Sequence, residues 1–186
     1  MALPATDTFT RDDGALGANW TGSVGSDLQI ISNTVTGQSS SDASMYWSAD
    51  APDAAQYAQV VFVSGTADYC GPVARASATD YVVLGLAISA PTQLEIQWYN
   101  GGSWTVIGTA YEVAPTAGRT YRIEANGTTF TGYENGTSRT SGSNGDAPAT
   151  GGGGLYVYSN GIRLDDFEVG NLAPPPAPTT AFWSWW

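Results

Sequence analysis

Apolar and polar residues alternate along most of the chain, and the alternation has the period of two that places successive side chains on opposite faces of a strand. Residues 93–99 show it most cleanly. Leu94, Ile96 and Trp98 share one face, and Gln93, Glu95, Gln97 and Tyr99 share the other. Asn100-Gly101-Gly102-Ser103 then supplies a turn, and residues 104–108 read as the returning strand. By the same reasoning residues 119–125 and 128–134 form a hairpin across Asn126-Gly127, for which a type I′ turn is expected. A second Asn-Gly, at 135–136, turns the chain into residues 137–140. Residues 57–64 and 81–89 are apolar on both faces, as in strands buried between two layers. Shorter strands are expected at 7–10, 28–31, 34–37, 43–47, 69–76, 155–159 and 163–169. The total is about thirteen strands without an amphipathic helix, and two packed antiparallel sheets bury such a set most simply.

Length and composition agree with this pattern. The 186 residues suffice for one sizeable core. Gly, Ser, Thr and Ala are abundant, 12% of residues are aromatic, and Lys and His are absent. The loop over 141–154 is rich in Gly, Ser and Asn and is expected to be mobile at its tip. After Leu172 the composition changes. Residues 173–178 form a Pro-rich spacer of polyproline character, and residues 179–186 end in four large rings, Phe182, Trp183, Trp185 and Trp186. The expected division is therefore a sandwich over 1–172, a linker over 173–178 and an aromatic tail over 179–186.

Six Arg face seventeen acidic residues, for a net charge of −11. Phosphate backbones and anionic membrane surfaces are bound through clustered cations, so neither nucleic acid nor membrane is an expected partner. Cys70 is the only cysteine, which excludes an internal disulfide, and its apolar surroundings suggest a small buried side chain. Residues 1–7 lack a basic region and an apolar run. The chain is therefore expected to be made in a cytosol without a secretory signal. Sequons at Asn19, Asn126 and Asn135 carry little weight without one.

Three motifs carry a family resemblance. The opening Asp7-Thr8-Phe9-Thr10-Arg11-Asp12-Asp13-Gly14-Ala15-Leu16-Gly17-Ala18-Asn19-Trp20 resembles the start of concanavalin A-like, laminin-G-like jelly rolls. The closing Gly161-Ile162-Arg163-Leu164-Asp165-Asp166-Phe167-Glu168-Val169-Gly170 is similar to that family's last strand. Between them, Tyr121-Arg122-Ile123-Glu124 followed by Tyr133-Glu134-Asn135-Gly136 resembles a further strand pair. Such domains occur in bacterial surface proteins and bacteriophage virion proteins. The resemblance covers residues 6–172 and implies an all-β, two-sheet antiparallel jelly roll whose first and last motifs are neighbouring strands. It says little of function, because the fold carries lectins, glucanases and structural modules.

In the last motif the alternation slips between Leu164 and Phe167, which suggests a bulge at Asp165-Asp166. A carboxylate turned inward there needs a partner, either a capping hydrogen bond or a structural Ca²⁺ with Asp166 as its ligand. No other cofactor is expected.

Catalysis is not expected. Glucanase relatives place two carboxyls on one strand as Glu-x-Asp-x-x-Glu, a pattern missing here, and the lack of His removes the usual triads and most zinc sites. Gly151 to Gly154 lacks the Lys and the following helix of a phosphate loop. Two functions remain. In the first, the sandwich is exposed on a bacteriophage virion as a structural or decoration protein. Phe182, Trp183, Trp185 and Trp186 then dock on a capsid or tail subunit or on a neighbouring protomer, because rings of that size mark interaction sites. In the second, the chain is a carbohydrate-binding module for host-surface glycans, with Tyr99, Trp104, Tyr111 and Tyr133 as candidate stacking residues near predicted turns.

Overall fold

The structure, a computed structural model, describes residues 3–25, 27–66 and 68–173; the Pro-rich spacer from 174 and the tail at 179–186 lie outside the described residues. In chain order the strands are β1 (Ala5–Asp7), β2 (Gly14–Ala15), β3 (Trp20–Gly25), β4 (Leu28–Ile31), β5 (Thr34–Gly37) and β6 (Ala43–Trp47). The long central strands follow: β7 (Gln56–Ser64), β8 (Tyr69–Ala76), β9 (Asp80–Ala87), β10 (Gln93–Asn100) and β11 (Ser103–Tyr111). The last five are β12 (Thr120–Asn126), β13 (Thr129–Glu134), β14 (Thr137–Ser143), β15 (Gly152–Val157) and β16 (Arg163–Asn171). They form two antiparallel sheets. One runs β14-β13-β12-β7-β16-β5-β4-β2, with β1 also on β16, and the other runs β11-β10-β9-β8-β15-β6-β3.

The core lies between the sheets, because most of the long strands turn an apolar face inward. Leu94 and Ile96 of β10, Val82, Leu84 and Leu86 of β9, and Leu155 and Val157 of β15 meet Val60 and Phe62 of β7, Ile123 of β12 and Val169 of β16 in one buried cluster. Cys70 is buried in it, and burial pushes its thiol pKa up, so the thiol is a packing group. The expected neighbouring of the two terminal motifs is present: Ala5, Thr6 and Asp7 pair with Val169, Glu168 and Phe167. Trp20 joins them, its ring 4.7 Å from Phe167 and 6.0 Å from Phe9.

Several expectations change. The first strand ends at Asp7 instead of Thr10, because Asp7 Oδ1 accepts the Phe9 N–H and Phe9 takes a φ of 52°. Two strands without apolar alternation, β2 and β3, were not expected. The 126–127 turn is a two-residue Gly127-Thr128 loop with positive φ at Gly127 alone, the pattern of type II′ instead of I′. The expected I′ geometry occurs at Asn135-Gly136, where both φ are positive. The 141–154 segment is largely ordered structure. β14 and β15 extend into it from both sides, Asn144 Oδ1 caps the N–H groups of Asp146 and Ala147, and Arg75 donates to the Pro148 carbonyl. Gly153 belongs to a buried strand, and a Cβ there would lie 2.4 Å from Val169 Cγ2. The bulge at Asp165-Asp166 is present as expected, with the register shifting between Asp165 and Glu168 and Asp166 at a φ of 49°.

Candidate functional site

Strand β9 is apolar on both faces for a reason other than burial between two layers. Its Val82, Leu84 and Leu86 face the core, whereas Tyr81 and Val83 face outward and are buried beneath a second cluster on the outer face of the sheet. Pairing builds that cluster. Tyr81 stands opposite Tyr99 of β10, Tyr99 opposite Trp104 of β11, and Val83 opposite Val73 of β8. The tight Gly101-Gly102 loop sets the β10–β11 register, so Tyr99, Trp104 and Val106 share this face.

The rings form a connected platform. Tyr81 and Tyr99 stack at 5.3 Å with planes 14° apart. Trp104 makes edge contacts with Tyr99 at 5.0 Å, Tyr156 at 5.6 Å and Tyr81 at 5.8 Å. Trp104 is nevertheless 39% exposed, as is Tyr158. These two and Val106 are three of the four exposed large hydrophobic residues among the described ones. A cleft of about 320 Å³ opens beside Trp104 and Tyr158 and is lined by these two with Asp42, Tyr69, Gln97 and Tyr156.

Polar groups are placed within this apolar setting. The Tyr156 hydroxyl donates to Asp42 Oδ1 at 2.6 Å; burial first, and then this bond, push the phenol pKa well up, so it remains a neutral donor. Gln97 Nε2 donates to Glu95 Oε2 at 2.6 Å, which orients the amide on the outward row of β10. Exposed aromatic faces beside fixed hydrogen-bonding groups suit a ligand that has both apolar C–H faces and hydroxyls.

Of the four aromatic residues expected from the sequence, Tyr99 and Trp104 come together here. Tyr111 lies at the far end of β11, its ring 5.2 Å from the Arg139 guanidinium. Tyr133 is on the other sheet, donating to Glu124 at 3.0 Å. The sequence reading missed Tyr69, Tyr81, Tyr156, Tyr158, Asp42 and Gln97. The signal that could have found Tyr81 was the doubly apolar face of β9. Asp166 is exposed, so its carboxylate does not turn inward, and the Asp165 side chain accepts the Asp166 N–H. Among the described residues no group of three or more metal-ligating side chains assembles. The docking candidates Phe182, Trp183, Trp185 and Trp186 lie outside the described residues.

The opposite outer face differs in kind. Arg122 sits 3.7 Å above the Tyr57 ring and pairs with Glu124 at 2.6 Å, and Tyr57 donates to Glu168. Burial and that bond push the Tyr57 phenol up to about 12. These groups engage one another, although Arg122 Nε is buried without a hydrogen-bond partner.

The outward row of β10 also bears on catalysis. It reads Glu95, Gln97, Tyr99, a single carboxyl followed by an amide and a phenol. Glycoside hydrolysis of the retaining kind uses two carboxyls about 5–5.5 Å apart.

Two packed antiparallel sheets with the terminal motifs paired give the fold: a jelly-roll sandwich of concanavalin A-like type. No protein-family model matches the chain, and no curated protein matches it in sequence. Solved structures match in shape. The carbohydrate-binding module CBM66 from Bacillus subtilis superposes with a TM-score of 0.65 at 13% identity, over 84% of this chain and 96% of that one. The β-glucanase of Bacillus licheniformis matches with a TM-score of 0.58 at 9% identity, over 91% and 98%. The GH43 protein BlXynB from Bacillus licheniformis matches with a TM-score of 0.56 at 14% identity; the match takes in 91% of this chain and 39% of that protein. At these identities the likeness is one of fold.

Proposed function

We propose that this domain is a non-catalytic carbohydrate-binding module that holds a glycan on the outer face of the β11-β10-β9-β8-β15-β6-β3 sheet. The observation that carries this reading is Trp104, 39% exposed yet held by three ring contacts at the mouth of a cleft of about 320 Å³. An exposed, pre-ordered ring loses little freedom when a sugar face settles on it, so its apolar contact is retained as affinity. The likeness to a carbohydrate-binding module supports the reading. Titration calorimetry against a panel of polysaccharides tests it. Trp104→Ala is expected to weaken binding by at least about tenfold while the cooperative melt is retained. Unchanged affinity in that variant would overturn the reading.

A second role, attachment to a bacteriophage virion through Phe182, Trp183, Trp185 and Trp186, is supported by the tail's sequence alone. Deleting residues 179–186 is expected to abolish incorporation into particles and leave glycan binding intact. Normal incorporation of the truncated chain would refute it.

A further inference from the structure

The charge distribution around the cleft narrows the ligand class, an inference that rests on the glycan reading above. The chain has six cationic side chains, all Arg, and each is engaged away from the cleft. Arg11 pairs with Asp7 at 2.6 Å, and Arg75 donates to the Pro148 and Ala54 carbonyls, each at 2.9 Å. Arg119 and Arg139 both pair with Glu134, Arg122 pairs with Glu124, and Arg163 donates to Thr36 Oγ1 at 2.8 Å. None of the six lines the cleft, whose wall contains the Asp42 carboxylate, with Glu95 hydrogen-bonded to the lining amide of Gln97.

We infer that the cleft accepts an uncharged glycan and rejects uronic-acid and sialic-acid polymers. A sugar carboxylate seated on Trp104 would meet the Asp42 carboxylate in the cleft wall and Glu95 behind the Gln97 amide, with no Arg among the described lining residues. Acidic saccharides are held through bidentate Arg contacts, and none of the six Arg lines the cleft. The net charge of −11 adds long-range repulsion, which slows the approach of any polyanion. Hydroxyls of a neutral chain instead find the Asp42 carboxylate and the Gln97 carbonyl as acceptors.

The test uses the full chain in calorimetric titrations with neutral polymers (β-glucan, xylan, galactomannan) and with polyanions (polygalacturonate, alginate, hyaluronan). Salt is set at about 20 mM and at about 0.5 M, so that exposed charges are first felt and then screened. The expected result is binding of at least one neutral polymer with an affinity insensitive to salt. Every polyanion should bind at least about tenfold more weakly at low salt, the gap narrowing at high salt and in Glu95→Gln. A polyanion bound as tightly as the best neutral polymer at low salt would overturn this inference and leave the glycan reading standing. Failure of every polymer of both classes would remove the glycan reading and this inference together.

Discussion

Asp7 accepts hydrogen bonds from Arg11 (2.6 and 3.0 Å), from the Trp20 indole N–H (2.8 Å) and from the Phe9 N–H (2.9 Å), while Arg11 also reaches the Leu16 carbonyl. The opening motif therefore fastens the first strand and the Trp20 segment to the closing strand. Removing the carboxylate leaves several donors unsatisfied, so Asp7→Ala is expected to lower unfolding free energy by about 2 to 3 kcal/mol in denaturant titrations. A loss below about 0.5 kcal/mol would contradict this role. At this scale the sequence exposed some of the candidate site and hid the rest. Tyr99 and Trp104 were legible as a pair because a two-residue loop fixes their register. Tyr156 was not: it reaches the platform through pairing opposite Gly71 and Ser44, strands far away in the chain. Tyr111 and Tyr133 looked equivalent to Trp104 because closeness to a turn does not tell which sheet or which end a ring occupies.

Elements were easier to read than the contacts between them. Alternation, apolar runs and Asn-Gly turns together located β4 through β16, and the slip in the last motif located the bulge in β16. The edge strand β3 escaped because Thr21, Gly22 and Ser23 have no apolar rhythm, its pairing being imposed by β6. The β12-β13-β14 meander is tied by one buried side chain. Glu134, 1% exposed, takes Arg119 at 2.9 Å, Arg139 at 3.0 Å and the Tyr121 hydroxyl at 3.1 Å. Burial alone would raise its pKa, but the hydrogen bonds from Arg119 and Tyr121 outweigh it and the carboxyl is held below its ordinary value. A depressed folded-state pKa contributes stability that is complete above the unfolded value and is lost as pH falls through the folded one. Stability is therefore expected to drop as pH falls below about 4.3, the ordinary Glu value. In urea titrations Glu134→Gln should be less stable at neutral pH and should lose less than the parent on acidification. An equal acid loss in both proteins would contradict the assignment.

Across the whole molecule, the sandwich followed from periodicity, turn chemistry and two terminal motifs that meet as β1 and β16. What the sequence left open was the difference between the two outer faces. One carries paired Arg, Glu and Tyr groups beside a polar cleft lined by Gln59, Thr120 and Glu168, and the other carries an aromatic platform over a cleft with no Arg in its lining. That asymmetry arises from which strands neighbour one another, and it carries the functional reading. The most direct test is an amide and indole NMR titration of the isotopically labelled chain with the tightest-binding neutral polysaccharide fragment. The expected shifts cluster at the Trp104 indole N–H, the Gln97 side-chain amide and the backbone of Tyr69 and Tyr158. Shifts confined to the opposite face, around Tyr57, Arg122 and Glu168, would contradict the assignment of the site.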